Sequence, residues 1–209
     1  MTLIHVQQRP RSVTTTTATT AARSAATTPS SRRMTVDFAL VTAAWAVVVV
    51  AAATFPLDDA GVSRAALFIH LVGMASGFGA VVMIDVYGLM WLFGYKTLHE
   101  LVDLVTTAHS VIGVAVGALL ASGIALRPDL SSPLARFKML LVLVLMLNGV
   151  WAQHLLVGMK RTLPAEVRGP NIPWAGFQRA LAAALISQST WWGSIVIGFL
   201  TSVNRFSGG

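Results

Sequence analysis

Few side chains in this sequence could do chemistry within apolar surroundings: His70, His109 and His154, with Asp85 inside one long hydrophobic run. Cysteine is absent. Disulfides, thiolate ligands, iron–sulfur clusters and thiol nucleophiles are therefore excluded, and any metal or cofactor must be held by His, Met, carboxylate or amide groups. No Ser/His/Asp set, HExxH, Walker loop or paired-carboxylate arrangement is present, so hydrolysis has no motif here. Three roles stay open for His109 with His154: ligation of a cofactor or metal, interhelical hydrogen bonding, and proton transfer. Ionisable groups inside a membrane are costly and are functional candidates by default. Asp85 could accept a hydrogen bond from a ligand histidine and fix its tautomer; the competing role is a pair with Lys96 or a nearby Trp. His5 and His99 are expected to be solvated.

The elements that must position these residues are set by composition. With 55% hydrophobic and only 11% charged residues and a mean hydropathy of +0.71, the chain is too apolar for a soluble domain of its size, and an integral membrane protein is expected. Five apolar runs, at about 38–55, 65–93, 104–126, 139–157 and 181–200, are each long enough to cross a hydrocarbon core of about 30 Å. The expected fold class is thus all-α, a single bundle of five transmembrane helices. Pro128 and Pro133 with Ser131 and Ser132 mark one loop, and Pro164, Gly169, Pro170 and Pro173 another. Tyr87 and Trp91 would anchor the second run at an interface, while Thr97 to Asp103 reads as a semi-polar turn ahead of the third.

Residues 1–33 are rich in Thr, Ala and Ser with scattered arginines, which predicts a disordered basic tail. A start at Met34 would make that tail an extension, and Ala51-Ala52-Ala53 offers a cleavage site were the first run a signal. The net charge of +7 reads as topology rather than as nucleic-acid binding. The tail arginines with Lys96, Lys160, Arg161, Arg168 and Arg179 fall on one side, and Arg64, Arg127, Arg136, Lys138 and Arg205 on the other. The positive-inside bias then places the N-terminus in the cytoplasm and the C-terminus outside.

Depth follows from the helical rise. His109, five residues beyond Leu104, and His154, three before Val157, would both lie roughly 5–10 Å inside the cytoplasmic boundary. Asp85 would sit somewhat deeper, at about 12 Å, and His70 toward the opposite side. His109, Gly113 and Gly117 form one stripe; His70, Gly73, Gly77 and Gly88 form another. Such stripes permit close helix packing or the approach of a flat cofactor. Asn148, Gln153 and Ser187-Gln188-Ser189-Thr190 would supply neutral interhelical hydrogen bonds, and Trp191 and Trp192 would pack or wall a cavity.

The segments His70-Leu71-Val72-Gly73, Ser122-Gly123-Ile124-Ala125-Leu126, Ala135-Arg136-Phe137-Lys138-Met139-Leu140 and Leu147-Asn148-Gly149 resemble small bacterial membrane proteins of the CopD-like and cytochrome-b561-like type, over about residues 64–158. By that resemblance His109 and His154, with His70 as a further ligand, would correspond to haem-binding positions, and one b-type haem is implied. Gly113 and Gly117 would clear space above the macrocycle. The implied function is electron transfer in the bacterial plasma membrane, with a quinol or another membrane redox partner as donor. The alternative is a non-catalytic accessory subunit of a membrane complex, or a small transporter, whose histidines serve structure or proton handling.

Overall fold

A computed structural model describes residues 28–54, 59–169 and 171–207, with side chains described from 32 to 201 within those ranges. Five helices follow in order: α1 (Thr28–Thr54), α2 (Ala60–Leu92), α3 (Leu98–Ala125), α4 (Pro133–Thr162) and α5 (Trp174–Ser207). Their apolar spans run from 23 to 33 residues, about 35–50 Å of helix, so the chain is a multi-pass membrane protein built as an all-α bundle. The expected disordered tail falls mostly on residues outside the described ones, but positions 28–33 are the first turns of α1.

Each helix starts earlier than its apolar run; at α2 and α3 a side-chain cap marks the start, whereas the apolar run reflects the bilayer. Asp59 accepts a hydrogen bond from Val62 N at 2.8 Å and opens α2. The stretch beginning at Thr97 is not a turn but the first turns of α3. Thr97 and Glu100 form a reciprocal capping box. Pro133 belongs to α4 rather than to the loop, standing at the first helical position, where its missing N–H leaves no bond unmade.

We call the end where α1 begins the proximal end, and the other the distal end. Proximally the α4–α5 linker folds onto the α2–α3 turn: Leu98 N donates to Val167 O at 2.9 Å, and Gly169 N donates to Trp91 O at 2.9 Å. Gly94 and Gly169 hold φ of +79° and +65°, a conformation that favours glycine. Beneath this closure lies a core of Trp91, Leu98, Leu101, Val102, Val105 and Met159. Trp91 is therefore a buried core residue at 6% exposure rather than an interface anchor. His99, expected to be solvated, has its Nδ1 buried without a partner.

Toward mid-bundle, α2 pairs closely with α3, and α4 with α5. A Cβ on Gly77 would lie 2.8 Å from Trp191 Cη2 and 3.0 Å from Ala115 Cβ. Trp191 of α5 thus seats in a notch that only glycine leaves open, and packs against Phe78 with ring centroids 6.1 Å apart. Asn148 Nδ2 donates to Ala183 O at 2.9 Å, tying α4 to α5. Thr190, by contrast, bonds within its own helix, to Ile186 and Ser187. Helix α1 joins the others at α4, where Trp45 Nε1 donates to Met139 O at 3.1 Å.

Candidate functional site

The sequence directs attention to His109 and His154. His109, half-buried on α3, faces Gly149 of α4; a Cβ built there would stand 3.7 Å from His109 Cε1. It makes no hydrogen bond among the described residues. His154 turns elsewhere: its Nε2 lies 2.8 Å from Asp37 Oδ2 of α1. The cause is helical rotation. Five residues separate Gly149 from His154, so at about 100° per residue the two positions lie roughly 140° apart around α4. One looks into the α3–α4 seam and the other toward α1.

Two axial imidazoles must point at one iron from opposite sides. With His154 bonded to Asp37 and facing another seam, the residues at these positions do not fit a haem held between His109 and His154. His70 does not complete such a pair with His109. It meets Ser122 across α2–α3 with Nδ1 and Oγ 2.9 Å apart. Ser122 is thirteen residues beyond His109, about 20 Å along the helix. Among the described residues no group of three or more His, Asp or Glu side chains could hold a metal ion.

The remaining expected positions also separate. Asp85 accepts a hydrogen bond from Gln188 of α5, not from a histidine, Lys96 or a tryptophan. Lys96 binds Glu100 at 2.8 Å instead and lies 5.7 Å from the Tyr87 ring centroid; the bond to Glu100 raises its pKa above the ordinary lysine value. A Cβ on Gly113 or Gly117 would meet nothing within 4 Å. No neighbouring helix approaches those two glycines that closely. The stripe that does bring helices together is Gly73 and Gly77 of α2.

Two polar contacts near the distal end stand out that sequence reasoning passed over. His70 of α2 meets Ser122 of α3, and Lys138 of α4 lies against Gly198 of α5, where a Cβ would stand 3.7 Å from Lys138 Nζ. Lys138 reads in the sequence as a loop base. The signal that could have placed it inside a helix is Pro133 at the helix start, five residues earlier. Comparison of the chain with family models, with curated proteins and with solved structures finds no match in any of the three.

Proposed function

We propose that this multi-pass protein is a non-catalytic accessory subunit of a complex in the bacterial plasma membrane, with its N-terminus cytoplasmic and its C-terminus outside. Its proximal histidines then serve as helix-to-helix contacts and not as ligands. The observation that carries the reading is that His154 and Asp85 are each paired across a different seam instead of meeting in one site: His154 with Asp37 between α4 and α1, and Asp85 with Gln188 between α2 and α5. Interhelical hydrogen bonds of this kind stabilise membrane bundles by about 0.6 kcal/mol on average. They fix which helix faces which neighbour.

The test is an absorbance spectrum combined with a size measurement. Protein made in haem-replete cells and purified gently should show no Soret band, and in solubilised native membranes it should migrate well above the mass of one chain. A stoichiometric Soret band lost on His109→Ala or His154→Ala would restore the electron-carrier reading. Migration as a lone chain would remove the accessory-subunit reading.

A further inference from the structure

We infer that the groove between the last turns of α4 and the first turns of α5, at the proximal end, binds an anionic phospholipid, with its phosphate at Arg179 and an acyl chain over Leu155 and Met159. The groove has a volume of about 380 Å³, and Leu155, Met159, Thr162 and Leu163 line it from α4 and its C-cap, Arg179 from α5. Two glycines keep it open. Gly158 and Gly176 are both part of the lining; a Cβ on Gly158 would meet nothing within 4 Å, and one on Gly176 only Met159 Cε at 3.9 Å.

The polar groups of the lining differ in what they can still bind. Thr162 Oγ1 stands 3.1 Å from Gly158 O and 3.3 Å from Met159 O, so its single proton is used within α4. His154 Nε2 is engaged by Asp37 Oδ2. Arg179 makes no hydrogen bond or ion pair among the described residues. Its guanidinium presents a planar fork of donors that matches two oxygens of one phosphate. No carboxylate lines the groove to oppose an anion, and Arg161 in the last turn of α4 adds positive charge at the same end.

Depth selects a lipid among anionic ligands. Arg179 stands two residues outside the apolar run 181–200, and Leu155 lies inside the run 139–157. The groove therefore passes from headgroup level into the hydrocarbon. A phospholipid offers charge and chain in that order, whereas free phosphate has nothing to cover Leu155 and Met159. A zwitterionic headgroup brings its own cation to a basic end, so the anionic lipid is favoured.

Native mass spectrometry of the full chain in neutral detergent, supplied with equal amounts of phosphatidylglycerol and phosphatidylcholine, tests the site. Wild type should retain phosphatidylglycerol over phosphatidylcholine by about fivefold, the size expected of one basic side chain near an anionic headgroup. The preference should fall to near parity in Arg179→Gln and persist in Arg136→Gln at the distal end. Gly158→Leu should retain less of both lipids, because its side chain enters the groove. It should melt no lower than wild type, since the position is open and leucine is the better helix former; the loss is then that of a filled groove and not of the fold. Equal retention of the two lipids by wild type overturns the proposal, as does a preference undiminished in Arg179→Gln or equally diminished in Arg136→Gln. Should Gly158→Leu not fold, Arg179→Gln decides alone, because that side chain is exposed.

Discussion

The two ends of the bundle are built differently. Proximally, an apolar core of Trp91, Leu98, Val102 and Met159 is closed by the α4–α5 linker, with His154 and Asp85 paired across separate seams and Trp91 Nε1 and His99 Nδ1 buried without a partner among the described residues. Distally, the helices meet through separate polar contacts, His70 with Ser122 across α2–α3 and Lys138 against Gly198 across α4–α5. Tight apolar packing with locally paired polar groups is what stability requires. The proximal end thus carries a closed apolar core, and the distal end is held by isolated polar contacts between helix pairs.

Truncation of the core should expose this contrast most strongly. Leu98 is 1% exposed, and Leu98→Ala should cost about 2–5 kcal/mol from lost contacts and the cavity left behind, read as a lowered unfolding midpoint. The same measurement on Ser122→Ala should show a much smaller loss. Comparable losses at the two positions would erase the distinction between the ends.

A smaller effect sharpens the comparison at mid-bundle. Gly77→Leu would push a side chain into Trp191 and Ala115 and should destabilise by about 1–3 kcal/mol. Gly117→Leu, at a position with open space around it, should leave stability unchanged or slightly raised, since glycine is a poor helix former. Equal destabilisation by the two substitutions would show that the α3 glycines also face a helix.

Much of the fold was legible because hydropathy reports directly on the bilayer: five apolar runs became five helices. Helix starts were legible in principle, since Asp59, the Thr97 to Glu100 capping box and Pro133 all stand in the sequence, but reading polar residues as loops hid them. The candidate site was harder to read. Depth along a helix accumulates at 1.5 Å per residue and tolerates error, whereas direction around it turns by about 100° per residue. The apolar runs place His109 and His154 at similar depth, yet their directions depend on how α3 and α4 are rotated against each other. The same holds for the glycines. Gly73 and Gly77 on α2 and Gly113 and Gly117 on α3 share a four-residue spacing, but only the first pair meets neighbouring helices. Spacing defines a stripe, and tertiary packing decides what it faces.

The absence of cysteine makes the central claim, that His109 and His154 face different seams, directly measurable. Two double-cysteine variants suffice: Asp37→Cys with His154→Cys, and His109→Cys with His154→Cys, each treated in membranes with a short bifunctional thiol reagent. The α1–α4 pair should cross-link efficiently, because the native side chains meet at 2.8 Å, and the α3–α4 pair should not. Efficient cross-linking of positions 109 and 154, with none between 37 and 154, would contradict the account and return the two histidines to a common site.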